Sequence, residues 1–217
     1  MLFPRLVSLL AFAVVSTAFL MVWRQSLPGR LRLFAIQSGL LALLAVVVAA
    51  YAERAGLLVV AVAVLAIKVW AIPRVLGRVA PRLPRSPAAA RSPTGLLLAA
   101  GGLTLVAFAV LLPVARAQAL PTAGGLPLAL ATGLVGLLLC ATARQALAQV
   151  LGFLVFENGV FMLALLGTYG LPSIVEAGAF LDVLVAVLIA KVVLGEIQES
   201  FGAESGREVD DLSELRG

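Results

Sequence analysis

Histidine is absent from this chain, and cysteine occurs once, at Cys140. These absences remove the usual ligands of haem, of iron–sulfur clusters and of Cys/His metal sites, and they leave no disulfide framework. No cofactor is therefore expected in this chain. Charge is scarce as well: Asp, Glu, Lys and Arg make up 12% of the 217 residues, against 62% apolar residues and a mean hydropathy of +1.12. An ordinary soluble domain carries about twice that charged fraction. The composition is that of an all-α, polytopic membrane protein.

Crossing a hydrocarbon core of about 30 Å takes about 20 apolar residues. On that rule the chain divides into about seven spans, near 6–23, 31–51, 55–73, 94–115, 124–143, 146–168 and 174–198. The first span follows Arg5 and could be taken for a signal peptide, but no small-x-small cleavage site precedes Trp23. Between the third and fourth spans, RVLGRVAPRLPRSPAAARSP holds five arginines and four prolines and reads as a polar loop. The tail from Glu196 holds seven of the eleven acids, a solvated charged end.

With seven spans, eleven arginines fall on the side of the C-terminus and three, Arg5, Arg54 and Arg116, on the other. The positive-inside rule then places the N-terminus outside and the C-terminus in the cytoplasm of a bacterial cytoplasmic membrane. The high isoelectric point thus reports topology, and no nucleic-acid partner is needed to explain it.

The chain also resembles itself. A shift of 120 lays Arg24-Gln25 on Arg144-Gln145 and QSGLLALLA from Gln37 on ENGVFMLAL from Glu157. A shift of 123 lays LVVAVAVLAIKV (58–69) on LDVLVAVLIAKV (181–192), with eight of twelve positions identical and Lys68 on Lys191. Two three-helix repeats result, 1–76 and 124–199, separated by the loop and linker helix of 77–123 and followed by the tail 200–217. One intervening span returns the chain to its starting side, so the repeats are expected to be parallel, related by an axis along the membrane normal. The first carries Gln37 and Val59 where the second carries Glu157 and Asp182.

Glu157 and Asn158 interrupt LGFLVFENGVFMLALLG (151–167), an otherwise lipid-compatible run. Ser173 and Glu176 read as a capping box that starts the last helix, which makes Glu176 a surface cap. Asp182 then lies roughly 12 Å below one membrane face and Glu157 roughly 18 Å above the other, at nearly one depth. A carboxylate facing lipid there is strongly disfavoured. Either each acid is neutral and fixes helix packing, Glu157 with Asn158 as a local partner, or both line a hydrated interior where a proton is held and passed on. Lys68 and Lys191 have two readings too. Each sits toward the cytoplasmic end of its helix, where it can snorkel to the interface, or it joins a polar chain, facing an acid on a partner subunit. The candidates for a proton path are Glu157, Asp182, Lys191, Lys68, Asn158 and Gln37.

The run LGFLVFENGVFMLAL, followed by LPSIVEAGAFLDVLVAVLIAKVVLGEI and a charged tail, resembles the component E family of hydrogenase-4 and related formate hydrogenlyase-type complexes. RLFAIQSGLLA and KVWAIP resemble that family also. Its second half is in turn similar to the three-helix K subunit of complex I and to the C subunit of multisubunit cation/proton antiporters. That subunit has glutamates on its second and third helices; Glu157 matches the first, and Asp182 matches the second by position while being a shorter acid. The resemblance implies a non-catalytic membrane subunit of a complex-I-like assembly, of the group 4 NiFe hydrogenase type. Its partners would be antiporter-like membrane subunits and a peripheral arm holding the NiFe and iron–sulfur centres. A structural anchor without an ion path, and a subunit of a cation/proton antiporter, are the alternatives.

Overall fold

The structure, a computed structural model, describes residues 2–79, 92–117 and 120–170. The seventh span expected at 174–198, with Asp182, Lys191 and the Ser173–Glu176 cap, lies outside the described residues, as does the charged tail.

Six helices among the described residues are long and apolar enough to cross a membrane, and no strand occurs among those residues. Helix α1 is Leu2–Trp23 and α2 is Leu27–Ala52; α3 is Gly56–Val64, continued by a π-helical segment, Leu65–Ala71, and by α4, Ile72–Val79. Helix α5 is Pro93–Ala117, α6 is Leu126–Thr142 after a short 3-10 turn, and α7 is Ala146–Gly167. These are the first six expected spans, and the described part of the chain is an all-helical, multi-pass membrane protein. Prolines mark the starts: Pro28 and Pro127 occupy the first turns of α2 and α6, where a missing N–H costs nothing.

The third span differs from expectation. It does not stop near residue 73, and Arg74 and Arg78 are on α4 rather than in a loop. Pro73 should end a helix by clashing with the carbonyl four residues back. Here it follows the wide π turns, where Ile72 N–H already reaches five residues back to Ile67 O, and the helix continues past it. Arg74 folds over Trp70, its guanidinium 4.5 Å from the ring centroid, and donates to Trp70 O at 3.2 Å.

Contacts at the helix ends fix the directions. Phe3 stacks on Tyr51 with centroids 4.4 Å apart and meets Tyr169 edge-on at 6.0 Å, while Tyr169 Oη donates to Tyr51 O at 3.2 Å. The start of α1 and the ends of α2 and α7 therefore share one side, so α2 and α7 run parallel. At the other side Arg30 Nε donates to Met21 O at 3.0 Å and Arg24 O at 2.8 Å, capping the end of α1.

Helices α6 and α7 approach most closely, and glycine makes this possible. A Cβ at Gly136 would run into the backbone of Phe156, one at Gly152 into Cys140, and one at Gly159 into Gly133. Small residues in register let two backbones meet in a membrane, where lipid gives apolar side chains little reason to associate. The close approach holds α7 rigidly and aims its opposite face, which carries Glu157 and Asn158, at the other helices.

Candidate functional site

Three helices bring one polar side chain or pair each to the middle of the bundle. Counted from their helix starts, Gln37 is about 15 Å into α2, Glu157 about 16 Å into α7, and Lys68 about 18 Å along the third span. In a core of about 30 Å all three lie near the midplane.

Lys68 Nζ stands 3.4 Å from Glu157 Oε2, and the two side chains are 1% and 2% exposed. The same ammonium donates to Asn158 Oδ1 at 3.0 Å. Asn158 Nδ2 in turn donates to Gln37 Oε1 at 3.1 Å and to Ser38 Oγ at 3.2 Å, and Gln37 Nε2 donates to Val14 O at 3.2 Å. Thr17 Oγ1 donates to that same carbonyl at 2.6 Å. The direction of every amide follows from these bonds. Asn158 turns its oxygen toward the cation and its nitrogen toward α2, and Gln37 passes that orientation on to the backbone of α1.

The arrangement decides between several sequence readings. Lys68 does not snorkel: it is wholly buried, because it sits in the π-helical segment that turns it inward to a counter-charge on α7. Its acid is on the same chain rather than on a partner. Asn158 is not the packing partner of its neighbour Glu157; it binds Lys68, Gln37 and Ser38. The half of the chain without intramembrane acids supplies Lys68, Gln37 and Ser38 to the cluster. Ser38 and Thr17 escaped the sequence reading, although the shift that lays Gln37 on Glu157 also lays Ser38 on Asn158. That pairing was the available signal for Ser38, whereas Thr17 had none.

Energetically the pair is costly to break. At 3.4 Å, two unit charges attract by about 5 kcal/mol at an effective dielectric near 20. The attraction offsets a desolvation cost of several kcal/mol per ion, so the net contribution to stability is small. What the pair provides is chemistry. A proton can pass from ammonium to carboxylate, leaving a neutral amine beside a neutral acid, or an arriving proton can neutralise Glu157 and leave Lys68 without its counter-charge.

No protein-family model and no solved structure matches the chain. It is similar to hydrogenase-4 component E of Escherichia coli strain K12 and of Shigella flexneri, at 28% identity over 152 residues in each case, covering 69% of this chain and 69% of the relative. At 36% identity over 220 residues, covering 99% of this chain and 97% of the relative, the protein belongs to the same family as the uncharacterized protein Rv0085 of Mycobacterium tuberculosis.

Proposed function

We propose that the chain is a membrane-arm subunit of a complex-I-like assembly of the group 4 NiFe hydrogenase type. In it, the Lys68–Glu157 pair belongs to a proton-translocation or coupling path. One observation carries the reading: a carboxylate and an ammonium 3.4 Å apart, both buried at mid-span. Asp182 and Lys191 extend the path in this proposal. The parallel course of α2 and α7, which meet through Gln37-Ser38 and Asn158, supports the reading of the halves as parallel repeats. Similarity to hydrogenase-4 component E supports antiporter-like membrane subunits and a peripheral arm as partners, with the NiFe and iron–sulfur centres held in that arm. The bacterial cytoplasmic membrane, with the N-terminus outside and the C-terminus inside, completes the proposal.

In this mechanism Glu157 is the group that gains and loses the proton. Lys68 is its counter-charge, and Asn158 keeps the ammonium within reach of Oε2. A proton arriving at Glu157 cancels the attraction that fixes Lys68, which repels the next positive charge and couples one site to its neighbour.

A packing role is the second reading, favoured by the bonds that tie Asn158 to Gln37 and Ser38. Glu157→Gln separates the two. In sealed vesicles containing the assembled complex, redox-driven proton uptake is expected to fall while complex abundance holds. Unchanged uptake would remove the pathway role and leave the cluster as a packing device. Co-purification decides the assembly: recovery with antiporter-like subunits and a metal-containing arm is expected, and recovery with antiporter subunits alone would make the chain an antiporter component.

A further inference from the structure

Inside a membrane a metal cation is held where several oxygens converge and replace its water. Among the described residues the central cluster has two points where side-chain oxygens converge, and a nitrogen sits at each. Glu157 Oε2 and Asn158 Oδ1 converge on Lys68 Nζ, at 3.4 and 3.0 Å. Gln37 Oε1 and Ser38 Oγ converge on Asn158 Nδ2, at 3.1 and 3.2 Å. Val14 O, on α1, takes Gln37 Nε2 at 3.2 Å and Thr17 Oγ1 at 2.6 Å. The amides are thus oriented around a cation that belongs to the chain itself. A metal ion at the first point must displace the ammonium. At the second it must displace the Asn158 nitrogen and turn that side chain around.

Charge gives the same answer. The charges of Lys68 and Glu157 cancel, so the pair offers a dehydrated metal ion no net attraction. At about 4 Å and an effective dielectric near 20, the ammonium by itself weakens the binding of a second unit cation about a thousandfold. Two oxygens at one point are also few beside the roughly six that hard cations gather. A proton differs in kind, because it bonds to a single carboxylate oxygen and needs no shell of ligands.

We propose that Lys68 is the ion-specificity residue of this site: its ammonium occupies the position a metal cation would take beside Glu157, and so keeps sodium out and leaves the site to protons. The consequence for transport rests on the pathway reading of Glu157. Occupancy of the site does not, and it can be read without transport.

The test uses the full chain with its accompanying subunits and compares sodium chloride with choline chloride at equal ionic strength. Glu157 is labelled with dicyclohexylcarbodiimide, an apolar reagent for buried carboxyl groups, and the rate is read on the peptide that carries it. In the unaltered protein the rate is expected to be the same in both salts. Lys68→Gln removes the charge and supplies a neutral amide oxygen in its place. In that variant sodium should slow labelling by a factor of about two or more, the protection given by a site at least half filled. Lys68→Arg restores the charge and should again be indifferent to sodium. Melting temperature gives a second reading that does not depend on access of the reagent: sodium should raise it over choline in Lys68→Gln, and not in the unaltered protein, in Lys68→Arg or in Lys68→Gln combined with Glu157→Gln. Sodium protection of Glu157 in the unaltered protein would overturn the proposal, even if Lys68→Gln does not assemble. So would a Lys68→Gln protein that assembles and ignores sodium in both readings. Unchanged proton uptake in Glu157→Gln would remove the pathway reading alone, because these measurements report what occupies the site and not what crosses the membrane.

Discussion

At the scale of single residues, the central cluster behaves as one unit and should be tested as one. Removing one partner of a buried pair leaves the other charge uncompensated, at a cost of about 3–5 kcal/mol. Lys68→Met is therefore expected to reduce the abundance of the folded complex. Lys68→Met combined with Glu157→Gln should recover part of it, with a coupling energy of about 0.5–3 kcal/mol in a denaturation cycle. Strict additivity would mean that the two side chains do not interact. Asn158→Leu is expected to cost more than Ser38→Ala, because it strips Lys68 of an acceptor and leaves Gln37 Oε1 without its donor, at about 1–3 kcal/mol for each orphaned group. Similar melting of the two variants would argue against the bonding order described here. Glu157, Asn158, Gln37 and Lys68 were legible in the sequence because each is polar within an apolar run. Their pairing was not legible. It is a tertiary relation, and Lys68 reaches it from π-helical turns whose side-chain directions do not follow the 3.6-residue period on which sequence reading relies.

At the scale of helices, the backbone contact of α6 with α7 sets the position of Glu157, so it governs the site without touching it. Gly136→Ala and Gly152→Ala each place a methyl group against backbone of the facing helix, which cannot move aside as a side chain does. Overpacking of this kind costs about 1–3 kcal/mol, and both variants are expected to melt earlier in a detergent thermal series. Gly101→Ala supplies the control, since nothing lies within 4 Å of the Cβ it would add. Equal behaviour of all three would dismiss the close approach as the reason for those glycines. Span lengths were readable from the sequence because the bilayer imposes them. The end of the third span was not, since Pro73 signals a stop that the preceding π turns cancel. The α6–α7 register was hidden for another reason: glycines are as common in loops as at such contacts, and only the facing helix distinguishes the two.

At the scale of the whole molecule, the described arginines are divided by the bundle itself. Arg24, Arg30, Arg32, Arg74, Arg78 and Arg144 lie at the end marked by Trp23, and Arg5, Arg54 and Arg116 at the end marked by Tyr51 and Tyr169. Both tryptophans, Trp23 and Trp70, belong to the arginine-rich end, each followed closely by an arginine. Aromatic rings at helix ends fix the depth of the bundle in the bilayer, and the arginine bias orients it. The positive-inside rule predicts a specific topology, in which the arginine-rich end faces the cytoplasm. A reporter that is active only in the cytoplasm is expected to work when inserted at 80–91 and to fail when inserted in the turn between α2 and α3 at Glu53–Ala55. The position of Lys68 and Glu157 near the midplane does not depend on this orientation, but in the proposed path the direction of proton movement would, since orientation decides which end of the bundle would deliver protons to Glu157. A reporter active in the Glu53–Ala55 turn would invert the molecule and reverse that direction, while a reporter active at both insertions would break the alternation of helices on which the parallel course of α2 and α7 depends.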